Sequence, residues 1–227
     1  GKNPVKVLIT GGAGFIGGCL IRRLLKKTNF KIYNIDKLTY ASDLSWIDFC
    51  EGSDNRFKNF KVDLANAKLT NEAVLASNPD LVIHLAAESH VDRSIDNPSK
   101  FLESNILGTF NLLQSVKDHW NQLTKQRKSF FRFHHVSTDE VFGSLKDFGS
   151  FSEDSSYRPR SPYAASKASS DHLVRAWFHT YGFPVIITNC SNNFGPWQFP
   201  EKLIPLTIIK ALDDESIPLY GDGSNIR

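Results

Sequence analysis

The chain reads as an α/β protein built on a doubly wound parallel sheet, and two features of its 227 residues carry that reading. Short apolar runs alternate with longer stretches of helical apolar spacing, which favours a parallel sheet covered on both faces. Chemistry-bearing residues also fall at the end of run after run: Thr10-Gly11, Asp36, Asp63, Ala86-Ala87, Ser137-Thr138 and Ser191-Asn192. In such sheets ligands bind beyond the carboxyl ends of the strands, so these six ends should line one crevice.

The elements follow in order along the chain. Residues 5–9 are a buried strand that enters a tight turn at Thr10-Gly11-Gly12. Residues 15–27 place Phe15, Ile16, Leu20 and Leu24 at helical spacing under a wet face of Arg22, Arg23, Lys26 and Lys27. Strands are expected at 31–36, 57–63 and 80–87. A long helix is expected over 98–120, with Phe101, Ile106, Phe110 and Leu113 turned inward. A strand at 131–137, a helix over 161–181 and a strand at 184–190 complete the pattern. The Ser-, Pro- and charge-rich stretch 144–161 reads as a surface loop beside the site. Residues 1–190 then form a dinucleotide-binding domain that carries the catalytic residues. Residues 191–227 form the beginning of a smaller substrate-binding domain, incomplete as it stands.

Composition narrows the function classes. A net charge of +3 from 27 basic and 24 acidic residues is too balanced for a nucleic-acid footprint. No apolar run approaches the roughly 20 residues that span a bilayer. Cys19, Cys50 and Cys190 are odd in number and widely spaced, which indicates neither a disulfide framework nor zinc and suits a reducing cytoplasm. The first strand starts too early to leave room for a signal peptide. Gly1 in place of Met reads as a processed or engineered start, and the turn-like residues 221–227 read as an interrupted chain.

Gly11-x-x-Gly14-x-x-Gly17 follows a strand and opens a helix. Glycines there permit a tight turn and close approach of a pyrophosphate, and the helix N-terminus offers N–H groups to it. Asp36 ends the next strand, 19 residues beyond Gly17, where a carboxylate accepts hydrogen bonds from ribose hydroxyls. Its charge would repel a 2′-phosphate, so NAD is expected rather than NADP. Tyr163 and Lys167 lie four apart on one helix face, with Ser161-Pro162 as N-cap and first turn. A nearby ammonium would lower the phenol's pKa and let it take a hydroxyl proton as hydride leaves. Thr138 would hydrogen-bond the reacting hydroxyl.

Asp139-Glu140, directly after Thr138, asks for more than oxidation. Hydride transfer needs one proton-transfer group, whereas elimination of water needs a base and an acid, and two carboxylates in different environments can supply both. His134 and His135 are strand neighbours that point to opposite faces, so they cannot chelate a metal together and read as structural. Trp177, Phe178 and Tyr181 read as core or interface residues.

Together these residues resemble the extended short-chain dehydrogenase/reductase family, and within it the bacterial dTDP-glucose 4,6-dehydratases. The resemblance runs from Val5 to Arg227, through Gly11 to Gly17, Asp36 to Tyr40, Leu85 to Ser94, Ser137 to Val141, Ser161 to Tyr163, Lys167 to His172, and Asn189 to Pro205. Related epimerases and decarboxylases share the glycine and Tyr-Lys motifs but usually lack the Asp-Glu pair.

The resemblance implies a Rossmann-type fold, tightly bound NAD and a dTDP-glucose substrate in deoxysugar biosynthesis of the rhamnose type. It implies a homodimer formed by the helices that begin at Pro98 and Ser161. It also implies a division of labour: Tyr163 takes a proton from the hydroxyl on sugar carbon 4, Glu140 removes the proton on carbon 5, and Asp139 protonates the hydroxyl leaving carbon 6.

Near the cofactor it places Phe15, Ile16, Asp36, Lys37, Leu38, Thr39, Asp63, Leu64, Ala86, Ala87, Ser104 and Asn193. On the substrate it places Ser89, Thr138, Asn192, Lys202, Leu203 and Arg227, the last as a planar donor fork for the pyrophosphate. Phe142 stands where many relatives have Tyr, and relatives continue well beyond Arg227. Two alternatives stay open: a UDP-sugar epimerase or decarboxylase of the same family, and an inactive, truncated NAD-binding chain.

Overall fold

A computed structural model describes residues 3–39, 45, 54–87, 98–145, 149–219 and 221–223. Among the described residues, six strands form one sheet: β1 (Lys6–Thr10), β2 (Lys31–Asp36), β3 (Phe57–Lys61), β4 (Leu81–His84), β5 (Arg132–Thr138) and β6 (Val185–Cys190). Every pairing is parallel and the order is β3-β2-β1-β4-β5-β6. This is the doubly wound, Rossmann-type sheet expected from the sequence. The order reverses between β1 and β4, where a crevice opens beyond the strand ends.

The helices are α1 (Phe15–Lys27), α2 (Ala67–Ser77), α3 (Pro98–Phe101), α4 (Gly108–Gln122), α5 (Lys125–Phe130), α6 (Pro162–Tyr181) and α7 (Leu203–Leu212). A π-helical segment, Leu102–Leu107, joins α3 to α4, so the long helix read over 98–120 contains a wider turn. Such turns recur at functional sites. Among the described residues, no helix is long and apolar enough to cross a membrane.

Alternation along the strands builds two cores. Val7 and Ile9 of β1 pack with Ile21 and Leu25 of α1, whereas Leu8 between them packs with Val74, Leu112, Leu113, Val116 and Val174 on the other face. Phe131, Phe133 and Phe183 fill the second core near β5 with ring centroids 5.7–6.0 Å apart. The chain divides into two compact units, Gly1–Ser191 and Asn192–Arg227. The second contains α7, whose Leu203, Ile208 and Leu212 are exposed.

Candidate active site

The glycine turn leaves β1 and runs straight into α1. Gly11 has φ +78°, and a Cβ there would lie 2.7 Å from the Ala86 nitrogen, so only glycine fits. Gly14 is the N-cap of α1 and offers no side-chain cap. That leaves the first turn, with Phe15 and Ile16, suited to an anion such as a dinucleotide pyrophosphate.

Asp36 closes β2 as expected. Its Oδ2 accepts the Ala13 N–H at 3.0 Å and its Oδ1 the Leu38 N–H at 2.8 Å. The carboxylate therefore ties the glycine turn to the residues after β2, with Lys37 and Leu38 half-buried and Thr39 exposed.

Around this crevice the chain places most of the other expected cofactor residues. Ala86 and Ala87 follow β4, and the Ala86 N–H donates to the Thr10 hydroxyl at 3.1 Å. Asp63 and Leu64 follow β3. The Leu64 carbonyl accepts Asn111 Nδ2 at 2.8 Å, and Gly108 packs so closely on Leu64 that a Cβ there would sit 3.0 Å from it. Ser104 is half-buried in the π-helical segment.

Thr138 ends β5, and Asp139–Phe142 form the 3₁₀ turn that follows. The Thr138 hydroxyl caps that turn, accepting the Glu140 N–H at 3.2 Å, and donates to Asp139 Oδ1 at 3.3 Å. It also hydrogen-bonds the Tyr163 phenol, so strand end and helix α6 meet at one hydroxyl. Ser161 caps α6 by accepting the Ala164 N–H at 3.0 Å, with Pro162 in the first turn, as read from the sequence. Phe142 is buried against Phe151 and Tyr157.

The electrostatics correct one expectation. Burial, reinforced by Glu140, Cys190 and Asp139, pushes the Tyr163 phenol well above its ordinary range, and only the Thr138 hydrogen bond opposes that. The Lys167 ammonium, also buried, donates to the Val136 carbonyl at 3.3 Å. Burial lowers its pKa, against the opposing pull of Asp171 and Cys190. In this arrangement burial raises the phenol's pKa, against the expectation that a nearby ammonium would lower it.

Asn192, Asn193, Lys202 and Leu203 belong to the second unit, with Lys202 as the N-cap of α7 and Leu203 as its first residue. Ser89 and Arg227 lie outside the described residues. His134 and His135 point to opposite faces as expected: His134 Nε2 bonds the Thr188 hydroxyl, and His135 is fully buried.

Sequence reasoning missed two supporting residues. Buried Asn34 accepts the Gly12 N–H at 2.8 Å and thereby holds the glycine turn. Buried Asp171 lies one turn beyond Lys167 and accepts three hydrogen bonds. A polar residue inside an apolar strand, and a carboxylate four residues after the lysine, were the available signals.

Comparison with known proteins adds a family match. The profile of the GDP-mannose 4,6-dehydratase family matches residues 8–227. A probable dTDP-glucose 4,6-dehydratase of Sinorhizobium fredii is 53% identical over 98% of this chain and 63% of its own length. The dTDP-glucose 4,6-dehydratase of Neisseria meningitidis is 52% identical over 98% of this chain and 62% of its own. The chain thus spans less than two thirds of these relatives.

Among solved structures, the dTDP-glucose 4,6-dehydratase of Streptomyces venezuelae, with NAD bound, superposes with a TM-score of 0.84 at 45% identity. That alignment covers 96% of this chain and 66% of the other. A UDP-glucose 4-epimerase of Thermus thermophilus, in complex with NAD, aligns with a TM-score of 0.75 at 28% identity, over 90% of this chain and 61% of the other.

Proposed function

Because the chain belongs to the GDP-mannose 4,6-dehydratase family, we propose that it is the larger part of an NAD-dependent hydro-lyase that converts dTDP-glucose to dTDP-4-keto-6-deoxyglucose. One observation carries this reading: the Thr138 hydroxyl bonds both Asp139 and the Tyr163 phenol, so a hydride-transfer base and an acid–base pair share one strand end. Oxidation alone has no use for the second pair.

Residues 1–190 supply the NAD site and the chemistry, and residues 191–227 begin the substrate-binding domain. The crevice residues fit a dinucleotide: a turn closed to any Cβ at Gly11, an α1 N-cap without a side chain, and Asp36 beyond β2. Gly11, Gly14, Phe15, Ile16 and Gly17 face the pyrophosphate, and Asp36 through Thr39 the adenosine ribose. Asp63, Leu64, Ala86, Ala87 and Ser104 complete the cofactor site. When bound, NAD supplies a positively charged ring that accepts hydride from sugar carbon 4 and later returns it to carbon 6.

The side chains perform the rest. Thr138 orients the carbon 4 hydroxyl and Tyr163 takes its proton, with Lys167 supplying the compensating positive charge. The resulting ketone acidifies carbon 5, whose proton Glu140 removes while Asp139 protonates the hydroxyl leaving carbon 6. Ser89, Asn192, Lys202, Leu203 and Arg227 hold the substrate. Burial holds the Tyr163 phenol's pKa up, and positive charge placed beside it would bring it down.

The protein acts as a homodimer in the cytoplasm, in deoxysugar biosynthesis of the rhamnose type. Exposed Leu102, Leu107, Phe110, Phe178 and Tyr181 form an apolar face on the π-helical segment, α4 and α6 that favours self-association. Ala164 and Ala168 of α6 are buried and take no part in that face, whereas Ala165 is exposed. Free thiols at Cys19 and Cys190 suit a reducing compartment.

The test is to incubate the full-length protein with dTDP-glucose and, separately, UDP-glucose. A 4-keto-6-deoxy sugar from dTDP-glucose is the expected product. An epimer formed from UDP-glucose with no dehydration would overturn the assignment in favour of the epimerase alternative.

A further inference from the structure

Asp171 shares the face of α6 that carries Lys167, and none of its surface reaches solvent. Its Oδ1 accepts Nε2–H of His135 at 2.9 Å, and its Oδ2 accepts the hydroxyls of Ser137 and Tyr157, each at 2.8 Å. His135 and Ser137 are two apart on β5 and face α6 together, while the Val136 carbonyl between them accepts the Lys167 ammonium. Tyr157 comes from the connection that leaves Asp139–Phe142 and re-enters the chain at α6. One carboxylate therefore joins three segments: the strand that ends at Thr138, the connection carrying on from Asp139 and Glu140, and the helix of Tyr163 and Lys167.

A buried carboxylate is costly unless both its lone pairs and its charge are answered. The three donors answer the lone pairs. His135 does not answer the charge: burial first, then Lys167, hold its imidazole down to about 4 despite the pull of Asp171, so it is neutral at neutral pH. Nor does Arg175, which stacks on the outer side of the Tyr157 ring. His84 of β4, 5.2 Å from the His135 ring, is likewise held neutral by burial. That leaves Lys167, which burial pushes toward its uncharged form and which Asp171 first, then Cys190 at the end of β6, pull back.

We propose that Asp171 is a positioning residue for the dehydration: it locks β5, the connection and α6 into one register and supplies the negative charge that answers Lys167. The proposal rests on the reading above for the reaction served, but not for the structural link itself.

Asp171→Asn is nearly isosteric, and its amide can still meet the two hydroxyls, which can accept as well as donate. With dTDP-glucose, kcat of the full-length variant should fall roughly 10- to 100-fold at nearly constant KM, the cost of a small misplacement of reacting groups. The alkaline limb of its pH profile should move to lower pH, because Lys167 loses its proton more readily. Tyr157→Phe and Ser137→Ala remove one donor each but keep the charge, so each should lower kcat several-fold and leave the limb in place.

NMR titration of isotope-labelled lysine side chains, with Lys167 assigned through Lys167→Met, gives a substrate-free readout. The Lys167 signal should titrate at lower pH in Asp171→Asn, even if the wild-type protein proves not to dehydrate dTDP-glucose. A folded Asp171→Asn with wild-type kcat and an unmoved Lys167 titration would overturn the proposal. Should Asp171→Asn fail to fold, wild-type kcat in both Tyr157→Phe and Ser137→Ala would overturn it as well.

Discussion

Acid should loosen this fold through His135. The imidazole is fully buried, and burial, then the nearby Lys167 charge, hold its pKa down from 6.5 to about 4 against the opposing effect of Asp171. Between those values the unfolded chain binds a proton that the folded chain refuses, so stability rises with pH across the window. The His135 contribution is fully present above pH 6.5 and is lost as pH falls toward 4.

At about 1.4 kcal/mol per pH unit, that gap is worth on the order of 3 kcal/mol. For a chain of this length the melting temperature should drop by roughly 6–12 °C over the window. His84, also held low by burial, adds in the same direction. Asp171 acts at lower pH: burial raises its pKa, but the hydrogen bonds from His135, Ser137 and Tyr157 outweigh burial and keep it ionised.

The assay is thermal melting followed by circular dichroism from pH 7 to pH 4, for wild type and His135→Gln. Glutamine can still donate to Asp171 but cannot titrate, so its melting curve should be flatter by the His135 share. Parallel curves for the two proteins would refute the reasoning.

Three further outcomes are expected. Gly11→Ala drives a Cβ against the Ala86 backbone at a φ of +78°, so it should cost several °C of melting temperature and abolish NAD binding by calorimetry. Calorimetry should also find NAD bound at least ~10-fold more tightly than NADP, with Asp36→Ala narrowing the ratio, since about 1.4 kcal/mol of lost repulsion is a factor of ten. Replacing exposed Phe110 and Leu107 by Glu should convert a dimer to a monomer in sedimentation, with the melting temperature of the monomer little changed.

Much of the fold was legible because local chemistry and tertiary role agreed. Ser161-Pro162 starts α6 where the cap and first-turn signals place it, and α1 spans the residues its apolar spacing marks out. The strands were found to within a few residues, though β4 stops at His84, short of the end of its apolar run. Helix α2 was not read, since it buries Thr70, Ala73, Val74 and Ser77, small or polar residues that leave little apolar period. The π-helical segment was invisible for a related reason: it widens a turn without removing the apolar residues on either side.

The site divided in the same way. The places of Gly11, Asp36, Thr138 and Tyr163, at strand ends and in the first turn of α6, could be read from residue type and spacing. Asn34 and Asp171 are read less directly, because their value comes from partners 14 to 36 residues away in sequence. The direction of the Tyr163 shift was not legible, because pattern shows a lysine four residues on but not the burial that raises the phenol.

The central claim is that Tyr163 serves oxidation while Asp139 and Glu140 serve elimination. It is tested most directly by adding dTDP-glucose to full-length Asp139→Asn/Glu140→Gln with NAD bound and following NADH absorbance. Without its acid and base, elimination should slow by at least ~10²-fold. The hydride then has no acceptor, and the NADH signal should rise and persist, whereas Tyr163→Phe should give almost none. Product formation by the double variant at the wild-type rate, with no lasting NADH, would contradict the account.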